Sequence, residues 1–530
     1  MPLPRAGDST VANQSVKADL VLHGGEVLGW PGSDSVAIAA GRIVDHGPFA
    51  RLKGCVGPRT HLVKLAGRTV APGFIDSHIH FLEAAAVKTG TSLGRCRTLG
   101  DLLGDLRAAA GKTPPGNWLR AFGCDETMLA EKRGPTRGEL DQSVPKNPLR
   151  LRHQTLHGSW LNTRAINQLG LESPQFRPPD GAQMLRDATG RLSGFCVGME
   201  EWLGAHLPRV TPAEIESRAG VMSRELAAAG VTAFTDATVR NGPAEFALFA
   251  RLASSGAISQ RVGVMLGAAQ LDALPQVVEH ARAGRIRIAA LKFMPAGGGN
   301  GGGWMARSTR MGLAGGLDCA YHATELEELE QALDAIEVAR RQFASDRPLP
   351  LCRIEHGGTI LPDLIARIAA SGAWVVSNPG FVHFRGPKYL EEPGLVPHLY
   401  RARSLLAAGI ELVGATDAPV TPARPLAAIA AAISRSTMDG EVLAAEEGLE
   451  SSEALAMFTR DAARLARIDA GEIASDKLAD LIVLPRNPVT LSPAELQSLP
   501  VDMTLIGGRI VYERGRPAVA YSDSAELHSV

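Results

Sequence analysis

Short apolar runs alternate with longer amphipathic stretches rich in Ala and Leu through most of the chain. Continuous apolar runs of this length indicate strands buried on both faces, and the amphipathic stretches between them indicate helices. From the second run onward the spacing is roughly 25 to 35 residues, the length of one strand–helix unit. The runs number eight and cover residues 74–80, 231–237, 261–267, 288–294, 317–323, 351–357, 374–379 and 410–417.

Eight strand–helix units predict an α/β fold in which the parallel sheet closes into a TIM-like (β/α)8 barrel. A doubly wound open sheet is the alternative, but no G-x-G-x-x-G follows the first run. The segment 82–228 is too long for a single connection and contains a helix-like stretch and strand-like runs of its own. We interpret it as an insertion that covers the barrel mouth, shapes the pocket and excludes water.

The two ends of the chain both contain short runs of residues that are typical of β-strands. Residues 18–71 form short β-like runs broken by Gly or Pro, and the same texture returns at 478–484 and 502–512. Each part is too small to bury a core alone, so we expect both to pair into one small β-sandwich; separate β arms are the alternative. The predicted domains are therefore a composite β-sandwich from residues 1–72 and 470–530, and a barrel over residues 73–469 that includes the 82–228 insertion.

Composition narrows the function classes. Hydrophobic residues make up 45% of the chain, charged residues 21%, and the net charge is −1. Nothing in this balance favours a nucleic acid or an anionic membrane as a partner. The six cysteines are scattered without a CxxC pair, the polar N-terminus lacks a signal-peptide core, and no apolar run approaches the roughly 18 residues of a membrane span. These features predict a soluble, cytoplasmic protein and leave a homo-oligomer open.

Candidate metal ligands lie at the ends of the predicted strands. His78 and His80 are two residues apart at the end of the first strand, so both imidazoles face one site and make half of a divalent metal site. A lone histidine at a strand end is more often structural, but several on successive strands are hard to obtain by chance. The C-terminal ends of barrel strands are where active sites assemble. The further candidates at such ends are Lys292, His322, His356 and Asp417.

Lys292 is unusual because its strand, 288–294, is otherwise apolar. A buried, unpaired ammonium is costly, so the amine either reaches outward or pairs with a carboxylate. The interpretation we prefer is a neutral amine carbamylated by CO₂, which creates a carboxylate able to bridge two metal ions.

These motifs together resemble the amidohydrolase superfamily. The sequence F-I-D-S-H-I-H after A-P-G is similar to its opening metal motif, and the likeness to the amidohydrolase-3 (YtcJ-like) group extends over nearly the whole chain. The other matching segments are A-D-L-V-L-H-G-G-E-V, L-H-G-S-W-L-N, G-V-T-A-F-T-D-A, L-K-F-M, R-I-E-H-G, A-T-D-A-P-V-T-P, K-L-A-D-L-I-V-L and I-G-G-R-I-V-Y.

The resemblance implies a role for each candidate residue. His78, His80 and Asp417 would bind one divalent metal, His322 and His356 a second, and carbamylated Lys292 would bridge them. Zinc is the expected ion, at one or two per chain. A metal-bound hydroxide would attack a small-molecule substrate, and Asp417 would carry the proton to the leaving nitrogen. His157, in L-H-G-S-W-L-N, would face the substrate; otherwise it is an ordinary loop histidine.

The chain departs from the group near the expected pocket. Many relatives carry H-A-I-G-D after the fifth strand, where this chain has H-A-T-E, ending at Glu325, and many carry D-G-H where this chain has T-L-H, ending at His157. A glycine run at 297–303 follows Lys292 and is either a mobile lid or a passive connection. These departures make it unsafe to transfer a substrate from any relative.

Three functions remain in competition. The first is hydrolysis of a non-peptide C–N bond in an amide, an N-acyl or N-formyl amine, or a cyclic amide. The second is an aminohydrolase acting on a heterocyclic amine with one metal and Glu325 as proton shuttle, against which Lys292 argues. The third is a non-catalytic binding protein on the same scaffold, which the complete set of competent ligands makes improbable.

Overall fold

Eight parallel strands form the central sheet of the protein. The structure is a computed structural model, which describes residues 16–155, 157–208, 210–284, 286–295, 302–343 and 349–516. Each strand pairs in parallel with its neighbour in sequence, which confirms the predicted barrel. The strands are β1 (Phe74–Ile79), β2 (Val231–Asp236), β3 (Arg261–Gly267), β4 (Arg287–Phe293), β5 (Cys319–Ala323), β6 (Cys352–His356), β7 (Trp374–Ser377) and β8 (Leu412–Gly414).

The seam between β8 and β1 is closed by hydrogen bonds just beyond the two strands. The N–H of Asp417 donates to the carbonyl oxygen of His78 at 2.9 Å, and the N–H of His80 donates to that of Ala418 at 2.8 Å. The N–H of Thr416 donates to the carboxylate of Asp76 at 3.0 Å. The residues that follow β8 are thereby fixed against the end of β1.

Helices surround the barrel and bury apolar faces against it. Leu329, Leu333 and Ile336 of the helix Leu326–Arg340 recur at helical spacing and are fully buried. The helices of this layer and of the segment after β8 are Phe81–Thr89, Pro212–Ala228, Pro243–Ser254, Leu274–Gly284, Gly302–Ala314, Leu326–Arg340, Pro362–Ser371, Gly380–Tyr389, Ala402–Ala407, Pro425–Ser434, Ser451–Met457 and Arg460–Ala466. Short 3₁₀ turns lie at Ala268–Ala273, Val396–His398 and Ala445–Glu447.

Two further sheets are built from both chain ends. Thr69–Pro72 pairs antiparallel with Leu481–Leu484, so one sheet contains strands from both termini. Its strand order is Glu26–Val27, Thr69–Pro72, Leu481–Leu484, Met503–Ile506, Arg509–Glu513; the other sheet runs Arg42–Gly47, Ser35–Ala39, Leu20–His23, His61–Lys64. Buried side chains from both sheets, among them Leu22, Ile38, Val70 and Val483, form one core. The short helices here are Phe49–Leu52, Lys53–Cys55, Pro488–Thr490 and Pro493–Ser498.

The long segment after β1 carries a six-stranded sheet with its own core. The sheet order is Gln183–Arg186, Leu192–Val197, Gly158–Leu161, Leu149–His153, Leu119–Cys124, Thr91–Ser92. Its helices are Leu99–Lys112, Glu126–Met128, Arg137–Ser143, Thr163–Gln168 and Glu200–His206. The helices Phe81–Thr89 and Pro212–Ala228, at the ends of the predicted insertion, pack instead into the barrel core through Ala84, Ala85 and Met222.

The described residues were compared with two expectations from the sequence, the absence of membrane-spanning helices and the absence of disulfide bonds. None of the helices in these ranges has the length and apolar character needed to cross a membrane. The six cysteines are buried thiols.

Candidate metal centre

Three of the predicted ligands converge at the barrel mouth. One nitrogen each of His78 and His80 and an oxygen of Asp417 all lie within 4.8 Å of one another. Nε2 of His80 lies 3.2 Å and Nε2 of His78 3.5 Å from Oδ1 of Asp417. His78 and Asp417 are buried, while 25% of the His80 side chain is exposed. The group of three residues is therefore closed to solvent at His78 and Asp417 and accessible to solvent at His80.

The local backbone at two of the ligands is strained. His356 has φ of 70° and Asp417 has φ of 57°, both in the left-handed region that residues other than glycine rarely occupy. Such conformations cost on the order of 1–3 kcal/mol and persist where the surrounding structure enforces them, commonly at functional sites. At Asp417 the enforcing contact is its main-chain hydrogen bond to His78.

Three of the four imidazoles, those of His78, His80 and His356, are held through their Nδ1 atoms. Nδ1 of His78 contacts the Glu355 carboxylate, and Nδ1 of His80 lies 3.0 Å from Oγ1 of Thr238. Nδ1 of His356 lies 2.7 Å from Oδ1 of Asn378. Partners on Nδ1 fix the ring orientation and leave Nε2 directed into the site, the arrangement that metal-binding histidines adopt.

His322 and His356 form a second pair beside this group. Nε2 of His356 lies 3.0 Å from Nδ1 of His322, and the ring centroids are 4.5 Å apart. The ring of His356 is also 4.8 Å from that of His78. The four histidines thus form a continuous cluster across the C-terminal ends of β1, β5 and β6.

Lys292 lies on β4 with 1% of its surface exposed, and its Nζ has no hydrogen-bond partner among the described residues. Burial lowers the pKa of its amine to about 8, although the charges of Glu355 and Asp417 oppose the shift. A neutral amine is therefore accessible near neutral pH, as carbamylation by CO₂ requires.

The protonation states suit cation binding. Burial holds the pKa values of His78 and His322 well below the usual histidine range and lowers that of His356. Burial alone would raise the pKa of Asp417, but the His80 imidazole and the other histidines hold it well below its usual range. Burial opposes the charged form of His80, but the neighbouring Asp417 carboxylate raises the pKa of this imidazole above the usual range. At neutral pH, His78, His322 and His356 offer neutral imidazoles and Asp417 an ionised carboxylate, which are the protonation states that metal ligands need, whereas His80 gives up its proton when a cation binds.

Orphaned buried atoms provide an independent test of this fit. Within the described residues, Nε2 of His78 and Nζ of Lys292 are buried without a hydrogen-bond partner, and the contacts of Oδ1 of Asp417 are with the two imidazoles. Unsatisfied buried polar atoms are rare and usually have an explanation such as a bound ion. Nitrogen and oxygen atoms of this kind, gathered at one barrel mouth, fit a divalent cation.

His157 and Glu325, the predicted substrate-binding residues, are both exposed. Partial burial and the charges of His80 and Arg152 lower the pKa of His157, so this imidazole lies within electrostatic reach of the candidate ligands. Glu325 is exposed at the start of the helix Leu326–Arg340. The carboxylate that approaches Nε2 of His322, at 3.8 Å, belongs to Glu328.

Glu328 faces inward because of how this helix starts. Its carboxylate accepts hydrogen bonds from the N–H groups of Thr324 and Glu325, at 2.8 and 3.0 Å, and so folds back over the first turn. Of the glycine run 297–303, residues 297–301 lie outside the described ranges; the helix Gly302–Ala314 begins at its end.

A second group of potential ligands comprises Asp125, Glu126 and His153 in the insertion. Nδ1 of His153 accepts a hydrogen bond from the N–H of Thr155 at 3.0 Å, so the proton of the neutral ring is on Nε2. Nε2 lies 3.2 Å from the Glu126 carboxylate, and this contact lowers the pKa of Glu126. With one ring nitrogen accepting and the other protonated, His153 has no lone pair left for a metal.

Several supporting residues escaped sequence analysis. Glu355 directly precedes His356 within R-I-E-H-G, and Asn378 lies in S-N-P after β7. Asp236 ends β2 and accepts hydrogen bonds from the N–H groups of Phe81 and Thr238, at 2.8 and 3.1 Å. For Asp236 and Asn378 the available signal was a charged or amide residue at the end of an apolar strand, the same signal that identified Lys292.

Comparison with known families decides the classification. Residues 61–512 match the model of the family described as "Amidohydrolase family". The chain belongs to this family. The predicted resemblance is thereby confirmed, and the chain is a hydrolase of the amidohydrolase family.

Individual relatives cover nearly the whole chain. The amidohydrolase chain is 27% identical over 539 residues to the N-substituted formamide deformylase of Arthrobacter pascens, covering 91% of this chain and 95% of the relative. An uncharacterized metal-dependent hydrolase from Pyrococcus furiosus superposes with a TM-score of 0.67 at 20% identity, covering 89% and 100% of the two chains. Atrazine chlorohydrolase TrzN from Arthrobacter aurescens TC1, complexed with zinc, gives 0.54 at 16% identity, covering 95% and 97%. The two structures show a shared fold.

Proposed function

We propose that this amidohydrolase cleaves a non-peptide C–N bond in a small molecule: an amide, an N-acyl or N-formyl amine, or a cyclic amide. The observation that carries the proposal is the convergence of His78, His80 and Asp417 within 4.8 Å, with orphaned buried atoms directed into the group. The relative named N-substituted formamide deformylase makes N-substituted formamides the first substrates to test.

The ligand types favour zinc as the resident ion. Mixed imidazole and carboxylate ligands are typical of zinc sites in hydrolases. His78, His80 and Asp417 would hold one ion, and His322 with His356 a second. A bound divalent cation supplies Lewis acidity, which lowers the pKa of water and polarises the substrate oxygen.

Lys292 is the proposed bridge between the two positions. Its amine has no partner among the described residues and is deprotonated in part near neutral pH. Addition of this amine to CO₂ forms a C–N bond and releases one proton, which leaves a carbamate carboxylate on the side chain. That carboxylate would add a negative charge between the histidine pairs, next to the carboxylate of Asp417.

Asp417 is the proposed proton carrier. Its ionised Oδ1 lies 3.2 Å from Nε2 of His80 and 3.5 Å from Nε2 of His78. It accepts a proton from the attacking water and returns that proton to the nitrogen as the C–N bond breaks. A C–O bond replaces the C–N bond, and the products are a carboxylic acid and an amine.

The aminohydrolase alternative depends on Glu325 as proton shuttle. The exposed Glu325 caps a helix, and the carboxylate nearest His322 is that of Glu328. No described contact therefore favours the one-metal deaminating mechanism, and the buried Lys292 has no role in it.

The direct test is a substrate screen with product identification. Protein prepared with zinc and bicarbonate is incubated with N-substituted formamides, N-acetyl amines, cyclic amides and heterocyclic amines, and products are identified by mass spectrometry. Asp417→Asn is the matched control for contaminating activity. Release of an amine and a carboxylic acid by wild type alone supports the proposal; release of ammonia from a heterocycle alone would replace it with the aminohydrolase function.

A further inference from the structure

The histidines of the metal centre differ in the partner that holds Nδ1. His78 contacts the carboxylate of Glu355, whereas His80 and His356 contact the neutral groups of Thr238 and Asn378. The His78 and Glu355 side chains are 1% and 0% exposed. His78 is therefore the one histidine of these three with a charged partner.

Glu355 forms an ion pair with a buried arginine. Arg353, 3% exposed, contacts both carboxylate oxygens of Glu355, with Nη2 at 2.9 Å from Oε2. Nη2 also donates to the carbonyl oxygen of Ser77 at 2.9 Å. Since β7 and β8 lie between β6 and β1 in the sheet, these contacts cross the barrel interior and fix His78 from below.

A carboxylate on Nδ1 changes the imidazole as a ligand. It keeps the ring proton on Nδ1, so that Nε2 presents its lone pair, and it makes the ring a stronger electron donor than an amide or hydroxyl partner does. Asn378 also fixes the ring of His356, because its Nδ2 donates to the carbonyl oxygen of Ala415 at 3.2 Å. The rings of His78 and His356 are therefore both held in a fixed orientation, but of these two only His78 becomes more basic through contact with a carboxylate, that of Glu355.

We propose that Glu355 is a positioning residue that makes the His78–His80–Asp417 position bind its metal more tightly than the His322–His356 position. The tighter position fills first, and the weaker one fills only at higher metal concentration. The inference rests on the metal-dependent proposed function and deepens it by ordering its two metal positions.

The second position depends on a different source of charge. Asp417 already gives the first position an ionised ligand, while Glu328 approaches His322 only to 3.8 Å. The carboxylate that completes the second position is then the carbamate of Lys292. Filling of the weaker position should therefore depend on bicarbonate, and filling of the tighter position should depend on it much less.

The binding order is tested on the full-length protein by metal titration. Chelator-treated protein is titrated with Zn²⁺ against a competing chelator, with and without bicarbonate. For wild type we expect two binding steps whose Kd values differ by about tenfold or more. His322→Ala should lose only the weaker step, and His80→Ala should lose the tighter step. Loss of the tighter step in His322→Ala, or two equal steps in wild type, would overturn the inference.

The role of Glu355 is tested by its own variants in the same titration. Glu355→Gln should weaken the tighter step by about 10- to 100-fold. Glu355→Asp should recover part of the loss, and Asn378→Ala should weaken the other step. Unchanged tight binding in Glu355→Gln contradicts the role.

Two controls keep this test decisive. Thermal unfolding of the metal-free variants monitors their folding, and the double variant Arg353→Gln/Glu355→Gln, which leaves no unpaired buried charge, replaces Glu355→Gln if that variant fails to fold. Because these titrations use no substrate, amide turnover can be absent while the binding order holds. That outcome would reject the proposed function alone.

Discussion

The N–H of Asp417 donates to the carbonyl oxygen of His78 at 2.9 Å. This hydrogen bond joins residues that are 339 positions apart in the sequence (417 − 78), at the seam where the last barrel strand meets the first. The same two residues also face each other through Nε2 and Oδ1, so the contacts that close the barrel bring two candidate metal ligands together. The strained backbone of Asp417 is held by the bond that closes the barrel.

Asp417→Asn should reduce turnover by about 10²- to 10⁴-fold, because the amide cannot take the proton from water. Asparagine tolerates the left-handed conformation with φ of 57°, so we expect the melting temperature of the metal-free protein to stay within a few degrees. Steady-state kinetics and thermal unfolding measure the two quantities. Turnover at wild-type level would reject the role of Asp417.

Lys292→Met should abolish turnover yet stabilise the metal-free, bicarbonate-free protein at pH 7. The native amine is buried without a partner, and an unsatisfied buried polar group costs about 1–3 kcal/mol. Chemical denaturation of both proteins gives the difference. A destabilised variant would mean that the amine has a stabilising partner.

The stability gain of Lys292→Met should also depend on pH. Burial lowers the pKa of folded Lys292 to about 8, below that of the unfolded chain, so the unfolded state binds more protons between these values. Wild-type stability therefore rises with pH above about 8, and the advantage of the variant shrinks there. A difference that is constant from pH 7 to 10 would contradict the depressed pKa.

The eight strands could be predicted because each is a continuous apolar run bounded by polar residues, and the candidate ligands were chosen because they lie at the ends of those runs. Glu355 could not be recognised in the same way. It precedes a candidate ligand in R-I-E-H-G, and its contact with His78 crosses the barrel between strands that are distant in sequence. Contacts across a barrel depend on strand stagger and side-chain direction, which one sequence does not specify.

The helix that follows β5 shows a second limit. Because Glu325 is three residues after His322 in H-A-T-E, we predicted that its carboxylate would lie near His322. The residue at which the helix starts, however, decides which carboxylate folds back over the first turn towards His322. The helix begins at Leu326, so its third residue, Glu328, caps the first turn and approaches His322.

Gln154 connects the insertion to the segment after Asp417. Its side-chain amide donates to the carbonyl oxygens of Pro419 and Val420 at 3.2 and 3.1 Å. We expect Gln154→Leu to lower kcat and raise KM together, by about tenfold, because the catalytic segment loses its anchor. Gln168→Leu, at an exposed position of the same insertion, is the control; equal effects would reject the anchoring role.

The roles of Glu325 and Glu328 can be separated by paired variants. Glu325→Gln should leave kcat within about twofold, because its side chain is exposed and away from His322. Glu328→Gln should lower it more, since it loses the carboxylate next to His322 and the cap of the helix. The reverse order of effects, measured by steady-state kinetics, would restore Glu325 as the proton shuttle.

Metal content, measured together with intact mass, tests the central claim most directly. Protein expressed with zinc and bicarbonate is analysed for metal per chain and, under native conditions, for the mass of a carboxylated lysine. We predict close to two metals and one added CO₂ in wild type, with the added mass lost in Lys292→Met. A chain that binds no divalent metal would contradict the account, and one metal without added mass would contradict the bridged centre.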